Sequence, residues 1–162
     1  MLDEELTRAM TPFSQKPGDV TALRNRLQDV MWEDVGVMRD ADGLQRGLKR
    51  IAEIDDELSS VGVAADNLAF NLSWHDWLNL RSLIDMSMVI AKAALSRENS
   101  RGAHFREDFP DAGAMQESYF TLASGYGDAI SVTRAPVQFT IVKPGETLLG
   151  EDEAETLIKA AQ

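Results

Sequence analysis

The chain has 162 residues, 44% of them apolar, and carries 27 acidic against 16 basic residues for a net charge of −11. This length and composition allow one domain with a sizeable buried core. The negative charge argues against nucleic acid and anionic membrane surfaces as partners, because both are polyanions. The chain contains no cysteine, which excludes disulfides and thiolate ligands to a metal or an iron–sulfur cluster.

Two features bear on the compartment. The opening MLDEELTRAM is acidic and lacks the cationic and then apolar pattern of a secretory signal. The longest apolar-rich segment, residues 68–95, is interrupted by charged side chains, so we predict no direct membrane span. We therefore expect a cytoplasmic protein.

Residues 1–18 are predicted to be a lead segment, with a helical turn or two over 1–9 followed by the linker TPFSQKPG. Residues 19–143 are predicted to form one mainly α domain, since three stretches repeat apolar residues at spacings of three and four. Asp19 is the expected N-cap of the first helix and Asp66 that of the third, which should span about 67–96. The apolar positions are Leu23, Leu27, Val30, Met31, Val35 and Met38 in the first helix, Leu44, Leu48, Ile51, Ile54 and Leu58 in the second, and Phe70, Trp74, Trp77, Leu80, Leu83, Ile84, Met88, Ala91 and Leu95 in the third.

Short turns between these stretches predict an antiparallel three-helix bundle. The third helix is apolar on more than one face at its start, where Trp74 and Trp77 lie. Such coverage predicts burial on two sides, under the C-terminal segment or against another domain. In isolation, a patch around the two tryptophans is where we expect a homo-oligomer to form, if one does.

After Pro110 the apolar period shortens to two, which predicts a strand. Residues 119–123 alternate, SGYGD at 124–128 supplies a turn, and AISVTRAPVQFTIV at 129–142 is rich in β-branched and aromatic residues. We predict a small C-terminal β-hairpin in which Pro136 marks an edge or a break. Residues 144–162 form an acidic tail, whose last dozen residues are either a short helix or a frayed end.

Several kinds of site can be excluded. No GxGxxG follows a predicted strand and no GxxxxGK[ST] occurs, so the chain lacks the usual cradle for a dinucleotide or nucleotide phosphate. His75 and His104 are the two histidines of the chain, which is too few for a His-rich metal site, and no GxSxG elbow exists. The acidic run at 53–57 is expected to be a solvated helix face, and His75 a structural or interface histidine. We predict that this chain itself binds no cofactor and no metal.

The exception is SRGAHFREDFP at residues 100–110. Arg101 and Arg106 could grip carboxylates through the guanidinium fork, and His104 could act as a general acid or base. On that interpretation His104 and Arg101 are the catalytic candidates. In the alternative, the arginines and carboxylates pair among themselves, Gly102 allows a tight turn at the end of the third helix, and His104 bonds to the backbone. The absence of a second catalytic constellation favours the alternative.

The segment SRENSRGAHFREDFP at 96–110 resembles a stretch of the succinate dehydrogenase / fumarate reductase flavoprotein family, which includes L-aspartate oxidase. LRNRLQDVMWEDVGVMRDADGLQRGLKRI at 23–51 is similar to the start of that family's C-terminal helical domain, and FTLASGYGDAISVTRAPVQFT at 120–140 to the hairpin that follows. The resemblance covers about residues 12–143. One departure is Asn99, which stands where the family usually has glutamate directly before Ser-Arg-Gly-Ala-His.

The resemblance implies a spectrin-repeat-like three-helix bundle that follows the FAD-binding and capping domains of such enzymes. FAD would be bound by the parent enzyme, outside this chain, which alone is predicted to be inactive. The resemblance further implies that an interdomain or inter-subunit clamp is formed by Arg101, Gly102, His104, Arg106 and Asp108. Implied partners are the FAD-binding and capping domain and an iron–sulfur subunit, with a peripheral position at the inner membrane within such a complex. The chain would be an excised domain or a separately encoded piece.

Two other classes stay open from the residues. One is a free-standing helical interaction module without flavin chemistry, and the other is a small enzyme that uses His104. The residues that would distinguish a succinate, fumarate or aspartate substrate lie outside this sequence.

Overall fold

The structure is a computed structural model that describes residues 2–125 and 129–147. The predicted turn at 124–128 falls largely outside the described residues, as does the acidic tail from residue 148 onward. The described chain contains helices α1 (Leu2–Met10), α2 (Val20–Glu33), α3 (Ala41–Ser59) and α4 (Leu72–Ser96). Four strands accompany them, β1 (Met38–Arg39), β2 (Phe105–Arg106), β3 (Tyr119–Ser124) and β4 (Ser131–Pro136).

Helices α2, α3 and α4 form an antiparallel bundle, and its ion pairs give the orientation. Along α2, Arg26 pairs with Glu57 near the end of α3, whereas Glu33 pairs with Arg50 nearer its start. On the other side of α3, Asp55 pairs with Arg81 of α4. The predicted mainly α three-helix bundle is confirmed. The run at 53–57 also contributes two of these interhelical pairs, in addition to facing solvent.

The core is made by the inward faces of the three helices and excludes water almost completely. Trp77 is 2% exposed, and its indole N–H donates to the carbonyls of Leu58 and Val61, 3.3 and 2.9 Å away, at the end of α3. The core residues with no more than 3% exposure are Leu23, Leu27, Val30, Val35, Leu44, Ile51, Ile54, Leu58, Trp77, Leu80, Ile84 and Ala91. Burial of this apolar area is the main favourable contribution to folding.

Two predicted helix boundaries are wrong, and both errors have local causes. Helix α2 ends at Glu33, so Val35 is buried beyond the helix and Met38 lies in strand β1. Helix α4 begins at Leu72, because Asn71 is its N-cap, accepting a 3.0 Å hydrogen bond from the Trp74 N–H.

The residue before that cap explains why the helix does not start earlier. Phe70 has a φ of +56°, in the left-handed region, and is 100% exposed, so it belongs to a turn instead of the helix face. The buried Asn71 amide also donates to the carbonyls of Ala65 and Asn67. Asp66, the predicted cap, lies in the loop that Asn71 holds.

The lead segment packs on the bundle. Gly62 N–H donates to the Lys16 carbonyl at 2.9 Å and Val63 N–H donates to the Pro12 carbonyl at 3.1 Å. The Phe13 and Trp74 rings meet edge to face at 5.3 Å, and the Trp74 indole donates to the Ala9 carbonyl at 2.8 Å.

These contacts correct one expectation. Trp74 is covered by the lead segment and Trp77 is in the core, so the two tryptophans do not form an exposed patch. Besides Leu72 at the first position of α4, the large apolar side chains that are exposed on this helix lie further along it, at Leu83, Met86 and Ile90.

Two small sheets complete the fold. Strands β3 and β4 pair antiparallel with Thr121 opposite Arg134, which confirms the predicted hairpin, and β4 ends at Pro136. Strands β1 and β2 pair in parallel, Met38 with Phe105 and Arg39 with Arg106, which was not predicted. This second pairing ties the segment after α4 to the α2–α3 connection. Within the described ranges, no helix is both long enough and apolar enough to cross a bilayer.

Candidate functional site

The sequence-predicted site lies where α4 ends and the chain turns back on the bundle. Arg101 and His104 exchange backbone hydrogen bonds of 2.9 and 3.2 Å, which closes a four-residue turn. Gly102 has a φ of +59° in this turn, a conformation that glycine adopts without strain. Gly102 thus allows a tight turn, as one of the two interpretations expected, and this turn follows the end of α4 at Ser96 after a short connection.

Arg106 is the centre of the site, with 1% of its surface exposed. Its Nε and Nη2 donate to the two carboxylate oxygens of Asp108 at 2.7 and 2.6 Å. Its Nη1 lies 3.2, 3.2 and 3.0 Å from the carbonyls of Ala94, Leu95 and Arg97. The last carbonyls of a helix lack partners within the helix, so Arg106 supplies the donors that the end of α4 needs.

Asp108 connects this arginine to the start of α3. One of its oxygens accepts a 3.0 Å hydrogen bond from the Ala41 N–H. The hydrogen bonds from Arg106 lower the pKa of Asp108 to about 2, with a smaller contribution from the Ala41 N–H. The same interaction raises the pKa of Arg106. The pair is thus ionised across the physiological range and links the end of α4 to the beginning of α3.

His104 is 8% exposed and contacts Arg39, which is 65 residues away in the sequence. The Arg39 Nη1 lies 2.8 Å from the imidazole Nδ1, so this nitrogen accepts and the proton sits on Nε2. Burial lowers the pKa of His104 most, followed by the positive charge of Arg97. Interaction with the Arg97 backbone opposes this shift, and the charges of Arg39 and Arg106 lower the pKa further, so that the net shift is downward. The environment therefore favours the neutral imidazole.

Arg101 organises the loop that follows. Its guanidinium donates to the carbonyls of Ala112 and Ala114 and to the Ser118 hydroxyl, the last two at 2.8 and 3.0 Å. Ser100 adds a 2.8 Å hydrogen bond from its hydroxyl to the Phe109 carbonyl. These bonds hold residues 109–118 against the turn and lead the chain into β3.

The structure pairs Arg106 with Asp108 and places His104 within electrostatic reach of Arg106, while Arg101 contacts the following loop and Gly102 is exposed to open space. Two residues were missed by sequence reasoning, Arg39 and Arg97, which line a groove beside His104. Arg39 is the last residue of MWEDVGVMR, a motif already noted, but its contact with His104 depends on the long-range β1–β2 pairing.

The arrangement of these side chains supports a role in holding the segment after α4 in place more directly than a role in catalysis. His104 receives its hydrogen bond from a cation, whereas a general base is usually oriented by a carboxylate or carbonyl. The Nε2 atom is buried, and no described residue offers it a partner with hydrogen-bond geometry. Among the described residues, no group of three histidine, aspartate or glutamate side chains could hold a metal ion.

The fold and the site define a helical-bundle domain in which Arg106 and Asp108 connect the end of α4 to the start of α3. Residues 24–148 match the family model described as fumarate reductase flavoprotein C-term, and the chain belongs to this family. The resemblance noted from the motifs is thereby confirmed.

Relatives and solved structures agree with this assignment. An uncharacterised FAD-dependent oxidoreductase of Methanocaldococcus jannaschii is 32% identical over 111 residues, 67% of this chain and 20% of that protein. The fumarate reductase flavoprotein subunit of Mycobacterium tuberculosis is 27% identical over 146 residues, 90% of this chain and 25% of that protein. The structure of Mycobacterium smegmatis Sdh1 in complex with UQ1 matches with a TM-score of 0.74 and 28% identity, covering 86% of this chain and 24% of that one. The chain thus spans a quarter or less of the length of these relatives.

Proposed function

We propose that this chain is the non-catalytic C-terminal domain of an FAD-dependent oxidoreductase of the succinate dehydrogenase / fumarate reductase type, and that it packs on the flavin-binding part of that enzyme. The observation that carries the proposal is the family match over residues 24–148. FAD belongs to the parent enzyme, and an iron–sulfur subunit is a further partner. The resulting complex would be cytoplasmic or peripheral at the inner membrane.

The site chemistry supports a structural role. Arg106 and Asp108 engage each other and the ends of two helices, and the Arg101 guanidinium is surrounded by oxygens of its own loop. These side chains therefore fix the shape of the segment after α4. We propose that Arg101, Gly102, His104, Arg106 and Asp108 act as an interdomain clamp by presenting this segment in one conformation.

An apolar stripe on α4 supports packing against another domain. Leu83, Met86 and Ile90 recur at helical spacing on a face adjacent to the buried one and are 46%, 56% and 45% exposed. A helix that is apolar on two faces is typical of one that is buried on two sides.

The test is flavin retention by the purified chain. The recombinant chain is equilibrated with excess FAD and gel-filtered, and the flavin released by acid is measured. We expect no retained flavin and no succinate-oxidising or fumarate-reducing activity, whereas the full-length Mycobacterium tuberculosis relative, treated identically, serves as the flavin-retaining control. Stoichiometric flavin in the chain alone would overturn the proposal.

A further inference from the structure

Four arginines within the described residues, Arg39, Arg97, Arg101 and Arg134, have no carboxylate at ion-pair distance. Arg101 donates to two carbonyls and a hydroxyl, and Arg134 donates to the Ser96 carbonyl and lies over the Tyr119 ring, so Arg39 and Arg97 are the two whose charge is least compensated. Arginines elsewhere in the bundle are paired: Arg24 with Asp76, Arg26 with Glu57, Arg46 and Arg50 with Asp34, Arg81 with Asp55, and Arg106 with Asp108. With an excess of acidic residues, uncompensated cations require an explanation.

Both arginines line one open groove of about 510 Å³, next to His104. Arg39 is held in place, since its Nε donates to the Val35 carbonyl at 3.0 Å and its Nη1 to His104 at 2.8 Å. Among the described residues, the guanidinium of Arg97 has one weak hydrogen bond, from its Nη2 to the Asn99 side-chain oxygen 3.4 Å away. Donors of both guanidinium groups are therefore left for a ligand.

The two charges disfavour each other. Burial lowers the pKa of Arg39, and the positive charge of Arg97 lowers it further. Guanidinium groups in a partly dehydrated position are stabilised by a planar anion that accepts two hydrogen bonds. A carboxylate bound between the two guanidinium groups would offset the repulsion between them.

The rim of the groove indicates where such a carboxylate comes from. Ile90 of α4 and Phe120 of β3 line it and are 45% and 58% exposed. Ile90 is also the last member of the exposed α4 stripe. A small soluble anion gains nothing from these apolar neighbours, whereas a polypeptide surface buries them while it delivers its carboxylate.

We propose that Arg39 and Arg97 together bind the carboxylate of an aspartate or glutamate on an adjoining polypeptide whose apolar neighbours cover Ile90 and Phe120. The identity of that polypeptide as the flavin-binding part of the enzyme rests on the proposed function. The carboxylate site itself is a property of this chain and can be tested on it alone.

The probe is the blocked tripeptide Leu-Glu-Leu, titrated at constant ionic strength while the arginine side-chain N–H resonances are followed by NMR. We expect saturable shifts of Arg39 and Arg97 with this peptide and none with the Leu-Gln-Leu counterpart. Acetate should bind about fivefold more weakly or worse, because it cannot cover the apolar rim. Shifts that chloride or the glutamine peptide reproduces would overturn the proposal.

Asn99 offers a matched pair of variants. N99E places a carboxylate beside Arg97 from within the chain and should weaken peptide binding by about tenfold or more, whereas N99Q, of equal length and uncharged, should bind like the wild type. Unchanged binding by N99E contradicts the proposal, provided that circular dichroism shows both variants folded. Succinate binding far more tightly than the peptide would overturn the polypeptide partner in favour of a free dicarboxylate.

These failures are distinguishable from failure of the proposed function. A negative titration removes the arginine site and leaves the α4 stripe available for packing. Flavin bound by the isolated chain would instead contradict the non-catalytic role, whatever the arginines bind.

Discussion

Arg106 donates hydrogen bonds to more acceptors than any other side chain of the 100–110 segment. Its five N–H donors are divided between the Asp108 carboxylate and three carbonyls around the end of α4. Lysine carries the same charge but has a single donor centre, which cannot reach both sets of acceptors. The shape of the side chain therefore matters as much as its charge.

We predict that R106K lowers the free energy of unfolding by about 2–4 kcal/mol, because the buried carbonyls and Asp108 lose their shared donor. Urea denaturation at neutral pH measures this change. R26K, at the exposed pair with Glu57, is the control and should change stability by less than about 0.5 kcal/mol. A comparable small effect for R106K would show that the clamp does not stabilise the fold.

His104 should make stability depend on pH. Its pKa in the folded chain lies below the ordinary value of 6.5, so the unfolded chain takes up a proton first as the pH falls. The stabilisation is therefore fully present above about pH 6.5 and decreases as the pH falls below it. Denaturation midpoints measured from about pH 7.5 to 5 should fall for the wild type.

The matched variants are H104Q and H75Q. Glutamine at 104 has no proton to gain and should flatten this pH dependence, whereas H75Q, at an exposed position on α4, should retain it. Equal slopes for the wild type and H104Q would assign the pH dependence to other groups.

At this scale the sequence predicted pairs that are close along the chain and missed those that are not. Arg106 and Asp108 are two residues apart, and their pairing was one of two interpretations of the motif. The contact between His104 and Arg39 spans 65 residues and leaves no local pattern. Asn71 and Asp66 are equally good caps by residue type, and the left-handed Phe70 that decides between them has no sequence signal.

At the scale of elements, the lead segment is joined to the bundle at Gly62. A Cβ at this position would lie 2.2 Å from the Gln15 carbonyl oxygen and 2.7 Å from that of Pro12. Both obstacles are backbone atoms, so the lead segment would have to move. Glycine here allows the close approach of two backbones.

We predict that G62A lowers the free energy of unfolding by about 1–3 kcal/mol and loosens the lead segment. Hydrogen exchange should accelerate at the Val63 amide, which donates to the Pro12 carbonyl. A64V, which adds volume at an exposed position of the same loop, is the control. Wild-type stability and exchange in G62A would show that the lead segment is not held at this contact.

The periodicity of apolar residues predicted the long elements and missed the short sheet of β1 and β2. The three bundle helices and the hairpin each have enough residues to show a repeat of 3.6 or 2. Strands β1 and β2 have two residues each and pair in parallel across more than sixty residues, which no local pattern encodes. Because that pairing positions Arg39 beside His104, the groove could not be derived from the sequence.

At the scale of the whole molecule, the outer surface of α4 carries the features of an interface. The exposed stripe of Leu83, Met86 and Ile90 leads to the groove of Arg39 and Arg97, for which the described part of the chain supplies no carboxylate partner. Apolar area and uncompensated charge on one surface favour a partner that is apolar and acidic at matching positions. The sequence indicated an apolar surface only as excess apolar coverage of the third helix. It placed that surface around Trp74 and Trp77, near the start of the helix, instead of at the stripe.

The most direct test is to tag the chain in its native cell, purify it under mild conditions and measure the flavin released per copy of the chain. We predict close to one FAD per copy, carried by a flavin-binding polypeptide that is continuous with the chain or bound to it, while the recombinant chain alone carries none. A chain recovered from its native cell without flavin would contradict the role proposed here.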